Sequence, residues 1–434
     1  MDQALLSAVS GIDATQTYLD VIGNNIANVN TNGYKQQNVD FVDLLSEQIQ
    51  GASAPPTQTG TGAGTNPVAV GSGVAVGAIS SDLAEGSVQQ TGQPNDVAIS
   101  GSGFLVAEQG GQQVFTRNGQ LSTDANGNLD TPTGGLVQGW QAVNGKLDTN
   151  APIGAITIPT GQVIPAKAST EITMGGNLPA WTGSGTPTPT NITVNAYDSV
   201  GDAIPVTLTY TPVTGQPNEW TLQGTVPNPA GGTENLWTTP PTVTFSAVTG
   251  QIQSITGVTA NADGSFSLPV GTMPAGYTFP PSDTWNIDFP PPGGAASFTQ
   301  FAGDATAEAV SQDGAAAGTL TSYSISSSGL IVGSFSNGET QNIAQLALAN
   351  FANPGGLDST GNLDFTATAN SGQPEIGAPG TGGRGTLVGG SLESSNVNLA
   401  AQLTDLVVAQ EAYQANTKVV NTDSTVTQSL VQMA

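Results

Sequence analysis

The chain has no cysteine and no histidine, and only six basic residues: Lys35, Lys146, Lys167, Lys418, Arg117 and Arg384. Without thiols or imidazoles there are no disulfides, no thiolate nucleophiles, no histidine triads and no zinc sites of the Cys/His type. Against 32 acidic residues, six cations leave a net charge of −26. So few Lys and Arg cannot neutralise a row of phosphates, which argues against nucleic acid as a partner. No run of 18 apolar residues occurs, so no segment reads as a membrane-spanning helix. The N-terminus offers neither a basic stretch nor an apolar run resembling a signal peptide, and export is expected to proceed uncleaved by a dedicated route. Charged residues make up 9% of the chain, far below the roughly 25% of ordinary globular domains. The surface must therefore be built largely of Thr, Ser, Asn, Gln and Gly.

What is present is unevenly distributed. All 28 prolines lie between Pro55 and Pro379, and residues 1–50 and 395–434 hold only three of the 57 glycines. The two ends read as amphipathic helices and the long middle as β-structure. Leu5, Val9, Ile12, Leu19, Ile22, Ile26 and Val29 recur mostly at three- and four-residue steps, a narrow helical stripe that ends at Asn30–Gly33. At the other end Leu399, Leu403, Leu406, Gln410, Tyr413, Thr417, Val420, Ser424, Thr427 and Val431 follow a 4-3-4-3 heptad spacing, with Ser395 or Asn396 placed to cap its start. Two seams at opposite ends of one chain most simply pair with each other as a coiled-coil-like domain. Asn24, Asn25 and Asn28 are mediocre helix formers. In an assembly they would fix register by amide contacts between subunits, as buried Asn does in coiled coils. The narrow, partly polar seams predict ends that are disordered in an isolated monomer.

Between the ends, residues 51–73 are low in complexity and read as extended linker. Asn118-Gly119, Asn126-Gly127, Asn144-Gly145, Asn337-Gly338, Asp263-Gly264 and Asp313-Gly314 are hairpin signals. Runs such as Val97–Val106, Ile192–Ala196, Val206–Tyr210 and Thr242–Val248 lie among them, with no helical pattern, which argues for sandwiches or barrels. The expected organisation is a terminal helical domain (1–35 and 395–434), extended linkers (36–70 and 377–394), an inner β-domain (71–165 and 315–376) and an inserted outer β-domain (166–314). Trp181, Trp220, Trp237 and Trp285 fall in the last of these and read as its core.

Sites of chemistry are weakly indicated. Asp124, Asn126, Asn128 and Asp130 imitate the first ligands of a calcium loop, but its sixth position is Leu129 and its twelfth Gly135, so a hairpin tip is the better reading. Gly380, Gly382 and Gly385 have GxGxxG spacing without the strand and helix that would make a dinucleotide site. A glycosidase-like carboxylate pair has little aromatic support at 6% aromatic residues. No catalytic residue, cofactor or metal is expected.

The ends carry a specific resemblance. Residues 4–33, ALLSAVSGIDATQTYLDVIGNNIANVNTNG, followed by Tyr34-Lys35, and residues 390–420, GSLESSNVNLAAQLTDLVVAQEAYQANTKVV, resemble the N- and C-terminal signatures of the axial proteins of the bacterial flagellum, the rod and hook family. Residues 115–140 and 336–348 are similar to the inner β-domain of its hook members, and 195–210 to their inserted outer domain. Asn398 stands where the family often has Asp, and Glu411 where it often has Arg. The resemblance implies an extracellular, self-assembling structural subunit. Implied partners are flagellar rod proteins, hook-filament junction proteins, the export apparatus and the hook cap, with no membrane insertion. Leu5, Val9, Ile12, Leu19, Ile22, Asn24, Asn25, Ile26, Asn28, Leu399, Leu403, Leu406, Tyr413 and Val420 would form the assembly interface. A distal rod protein is the near alternative, and a secreted β-rich adhesin the distant one.

Overall fold

A computed structural model describes residues 2–54, 64–161, 163–270, 276–277, 285–294 and 296–433. The fold is mainly β with one helix at each end, α1 (Asp2–Ala27) and α2 (Leu399–Met433). The chain forms two compact units. The first comprises residues 1–159, 323–333 and 341–434, and the second 160–322 and 334–340.

In the first unit α1 and α2 pack against each other. Asn398 caps α2, its Oδ1 accepting the amides of Ala400 and Ala401. The expected caps are otherwise engaged. Ser395 accepts only the Val397 amide, and Asn396 spans from the Gln36 amide to the carbonyls of Asp82 and Ala84. Parts of residues 36–70, expected as linker, form strands. β1 (Gln37–Asp43) pairs antiparallel with β4 (Val74–Ser81), and β2 (Ser46–Gln50) with β3 (Val68–Gly71). A ribbon satisfies backbone groups that an extended linker would leave to water. Residues 55–63, within the expected linker, lie outside the described residues. The second expected linker also pairs: Thr386–Gly389 with Val97–Ser100, and Ser391–Glu393 with Val88–Gln90. Both ends of the chain are thus stitched to the β-structure of this unit.

Its main sheet runs in the order 340–346, 136–141, 104–109, 112–116, 364–366 and 358–361. Phe104, Val106, Phe115, Trp140, Ala347, Ala349 and Phe351 make its core, with Phe115 and Phe351 edge to face at 4.8 Å. Asn144-Gly145 forms the expected type I′ turn, with φ of 51° and 74° and Val143 paired to Lys146 on both sides. Asn118-Gly119 does not. There glycine serves close approach, because a Cβ on Gly119 would stand 1.5 Å from the Val97 carbonyl oxygen.

The second unit packs two open sheets over one core. Thr190–Tyr197, Ala203–Pro212, Glu219–Pro227, Thr242–Phe245 and Ile252–Ile255 form an antiparallel meander. In the other sheet Glu171–Pro179 runs parallel to Asn286–Phe289 along its first half and to Phe298–Phe301 along its second. Period-2 alternation is strict: Ile204, Val206, Leu208 and Tyr210 point inward, while Thr207, Thr209 and Thr211 do not. Tyr210, Phe245 and Phe289 surround Phe298 at 5.3–6.1 Å. Burial pushes the Tyr210 phenol pKa strongly upward. Trp220 and Trp285 are buried in this core, and Trp181 and Trp237 pack on it, as a core reading of the tryptophans requires. No sheet among the described residues closes into a barrel.

Asp313-Gly314 is a clamp, not a hairpin. Asp313 Oδ1 accepts the amides of Thr170 and Glu171, Oδ2 accepts the Thr170 hydroxyl, and Lys167 lies 3.5 Å away. Burial alone would raise the Asp313 pKa, but these hydrogen bonds and Lys167 outweigh it and hold the carboxyl below its ordinary 3.8. A depressed folded-state pKa contributes stability above the unfolded value that is lost as pH falls through the folded one. The thermal stability deficit of Asp313→Asn is expected to be clear at pH 7 and to fade only as pH falls below about 4, through the folded-state pKa; a deficit independent of pH would refute the charge-based account.

Both ends are helices, α1 and α2, and amide exchange tests the expectation that they are disordered in an isolated monomer. Amide exchange in monomer should show strong protection at residues 21–26 and weak protection beyond Asn421, where nearly every described residue is exposed. Uniformly fast exchange across residues 5–29 would restore the original expectation.

Candidate assembly interface

The helical pair is built on small residues. Ala8, Gly11, Ala14, Val21, Ile22 and Asn25 are the buried positions of α1, and Gln402 and Ala409 those of α2. Gly11 lets the helices approach closely, since a Cβ there would stand 2.7 Å from Asn416 Nδ2. Tyr18 is half-buried, edge to face with Phe41 of β1 at 5.7 Å, and burial first, then the Asp405 carboxylate, raises its phenol pKa.

Asn25 pins the register and uses every hydrogen bond its amide can make. Oδ1 accepts from the Tyr34 hydroxyl (3.0 Å) and the Gln37 amide (2.9 Å). Nδ2 donates to the Gln37 carbonyl (2.8 Å) and to Gln402 Oε1 (3.0 Å). A fully satisfied buried amide is specific because any slip strands its donors and acceptors. Amide therefore meets amide, but within one chain. Asn24 and Asn28 bond each other at 2.6 Å and line an open cavity of about 540 Å³ with Thr31, Asn118 and Asn362.

Beyond the helices lies a buried ion cluster that sequence reasoning missed. Glu393 Oε1 sits 2.6 Å from Lys35 Nζ, and Oε2 3.6 Å from Arg117 Nη1. Lys35 also donates to the Ala84 carbonyl, and Arg117 to those of Gly101 and Gly103 while lying over the Phe104 ring. The Gly86 amide donates to Glu393 Oε1, and the Gly33 amide to the Glu393 carbonyl. One carboxylate thus ties the loop after α1, the 84–86 loop, the main sheet and the strand before α2. Burial lowers the Lys35 pKa, opposed by its hydrogen bond to Glu393, and burial likewise lowers that of Arg117. The only signal in the sequence was scarcity: two of six cations, Lys35 and Arg117, bracket the start of the β-region.

The predicted interface residues divide. Ile22 and Asn25 are buried in the intrachain seam, and Leu5, Ile12, Leu19, Ile26, Asn28, Leu406, Tyr413 and Val420 are half-buried. Val9, Asn24, Leu399 and Leu403 are exposed, along with Leu6, Val407, Val408, Val419 and Val426, which were not singled out. At 3.6 residues per turn, Gln402, Ala409, Tyr413, Asn416 and Val420 span about 60° of α2. Leu399, Leu403 and Val407 form a stripe about 110° to one side of that seam, and Val408, Val419 and Val426 a stripe about 100° to the other. The helix faces its partner along one line and leaves two apolar lines bare. Among the described residues no group of acidic side chains is arranged to hold a metal. Asp124 spends its carboxylate on the Asn126 and Asn128 amides and the Asn128 side chain, inside the turn.

Replacing Glu393 with Gln should destabilise the first unit by about 3 kcal/mol or more, because two buried cations lose their counter-charge. Urea unfolding measures it; a loss under about 1 kcal/mol would mean that Lys35 sheds its proton in the variant instead.

Comparison with known proteins places these elements. The family model "Flagella basal body rod protein" matches residues 5–35, and "Flagellar basal body rod FlgEFG protein C-terminal" residues 388–433. "Flagellar hook protein FlgE/F/G D1 domain" matches residues 98–179, and "Flagellar basal body protein FlaE D2 domain" residues 179–315. Flagellar hook protein FlgE of Treponema pallidum is 35% identical, with 100% of both chains covered, and that of Borreliella burgdorferi 34%, also with full coverage. FlgE of Salmonella typhimurium is 32% identical over 98% of each chain. A crystal structure of Helicobacter pylori FlgE2 overlaps 70% of this chain and all of its own with a TM-score of 0.49 at 14% identity. Helical ends, β-middle and full-length similarity agree: the chain belongs to the flagellar hook protein FlgE family.

Proposed function

We propose that this chain is the structural subunit of a flagellar hook, polymerising helically into a flexible tube that transmits torque from the rod to the filament. The observation that carries the reading is the pair of bare apolar stripes on α2, flanking a seam already occupied within the chain. A helix with two unpartnered lines suits a subunit with neighbours on both sides. In this reading residues 1–35 and 395–434 form a coiled-coil-like assembly domain at the inner wall. Residues 36–70 and 377–394 connect it outward, 71–165 and 315–376 make the inner β-domain, and 166–314 the nested outer one. Leu5, Val9, Ile12, Leu19, Ile22, Asn24, Asn25, Ile26 and Asn28, with Leu399, Leu403, Leu406, Tyr413 and Val420, serve assembly, either by holding the helical pair or by meeting its neighbours.

The mechanics follow from two kinds of contact. Seams with amide register resist twisting, while polar, weakly charged β-surfaces with several near-equal packings let neighbours slide as the tube bends. The chain would leave the cell through the flagellar export apparatus, assemble beneath the hook cap, and abut rod and hook-filament junction proteins at the two ends of the polymer. Its role is structural, with no reaction or cofactor assigned. A rod subunit is less favoured, because the full-length relatives are hook proteins by name.

The double substitution Leu403→Asp, Val407→Asp changes only exposed positions of one stripe. It should abolish polymer in sedimentation and electron microscopy while leaving the monomer's circular dichroism and melting temperature near wild type. Polymer formed at wild-type yield by this variant would remove the stripes from the interface.

A further inference from the structure

We propose that the Asn144-Gly145 turn is a self-modification site, at which the Asn144 side chain loses ammonia and becomes a carboxylate without an enzyme. The inference concerns the folded chain alone and is independent of polymerisation.

Asparagine followed by glycine suits this reaction, because glycine has no side chain to shield its amide nitrogen. Once that nitrogen gives its proton to a solvent base, it attacks Cγ of the asparagine. The new C–N bond closes a five-membered imide, the Cγ–Nδ2 bond breaks, and Nδ2 leaves as ammonia. Water then opens the ring at one of its two carbonyls. The product is aspartate, or isoaspartate when the main chain comes to run through the side-chain carbon. The net change is one water consumed and one ammonia released, with no oxidation or reduction.

Five such pairs occur, at Asn32, Asn118, Asn126, Asn144 and Asn337, and the fold guards four of them. The Gly33 amide donates to the Glu393 carbonyl, the Gly127 amide to the Asp124 carbonyl and the Gly338 amide to the Phe335 carbonyl. Asn337 is held further, its Nδ2 donating to the Ala316 carbonyl and its Oδ1 accepting the Glu339 amide. Asn118 Oδ1 accepts the Gln120 amide, and Gly119 is buried against the Val97 carbonyl. Among the described residues, Asn144-Gly145 is the one pair in which neither the side-chain amide nor the glycine nitrogen is hydrogen-bonded. Asn144 is exposed, and the bond that Gly145 makes is on its carbonyl, which accepts Asn342 Nδ2 at 3.3 Å.

Attack also requires Asn144 to leave the left-handed conformation of the turn, where its φ is 51°. That opening is local. One isolated bridge, Val143 with Lys146, closes the turn beyond the end of strand 136–141, and so short a hairpin tip opens at little cost. Asn126, by contrast, sits in a turn that both carboxylate oxygens of Asp124 tie down. At position 144 the product carboxylate lies two residues before the exposed Lys146. Isoaspartate adds a backbone atom to a two-residue loop, which a type I′ turn does not accommodate, so the bridge is lost with it.

The test incubates the purified full-length chain in mildly alkaline buffer below its melting temperature, with a parallel sample in urea. Peptide mapping with mass spectrometry follows all five pairs. A protecting hydrogen bond of ordinary strength slows the reaction about fivefold. Asn144 should therefore convert at least about fivefold faster than any other pair in the folded chain, yielding both aspartate and isoaspartate. In urea the five should differ by less than about threefold, since unfolding removes every protecting bond. Conversion led by another pair, spread equally over the five, or absent at Asn144 in the folded chain overturns the inference. So does a lead of Asn144 that is as large in urea, which would assign it to local sequence and not to the fold.

Discussion

The architecture of the first unit hangs on one carboxylate. Glu393 is fully buried with Lys35 and Arg117 on its two oxygens, and such a group tolerates no misplacement, since either cation left alone in the interior is strongly unfavourable. Lys35 follows the loop that ends α1, and Glu393 precedes the cap of α2. Their pairing brings the two ends of a long chain to one place before the helices need contribute. Arg117, bound to the Gly101 and Gly103 carbonyls of the turn that leads into strand 104–109, fixes that place relative to the β-core. The Asn25 network then sets which turn of α1 faces which turn of α2.

This arrangement explains how so slight a helical pair is held. The buried positions of α1 are mostly Ala, Gly and Asn, which supply close approach but little apolar area. The pair is anchored at its base by strand pairing and by the ion cluster, and the larger apolar side chains of α2 point elsewhere. A subunit that spent its leucines on its own seam would have none left for neighbours. In the proposed polymer the exposed Leu and Val of α2 are the side chains left to meet neighbouring subunits.

The ion cluster has a second consequence for the whole molecule. In a chain with six cations, burying Lys35 and Arg117 leaves Lys146, Lys167 and Lys418 exposed on a strongly acidic exterior. The second unit has its own supports, with Asp313 clamping its strands and Phe298 at the centre of its aromatic core.

Much of this was legible in the sequence. Periodicity and the placement of proline and glycine determined helical ends and a β-middle, because local backbone preference depends on residue type and spacing alone. The alternation in 203–212 and the Asn144-Gly145 turn were readable for the same reason. The seam itself was not. The heptad of Leu399, Leu403 and Leu406 is genuine, but apolar spacing does not say which partner it faces, and the intrachain partner took the line through Gln402 and Ala409 instead. Residues 36–50 looked like linker because strand pairing is a long-range property, satisfied here by residues 68–81. Asn118-Gly119 looked like a hairpin because sequence cannot show the carbonyl of Val97 standing over the glycine. Above all, Lys35, Arg117 and Glu393 are far apart along the chain, and charge carries no label of its partner. Only the folded structure, by excluding water around them, decided that these three would meet.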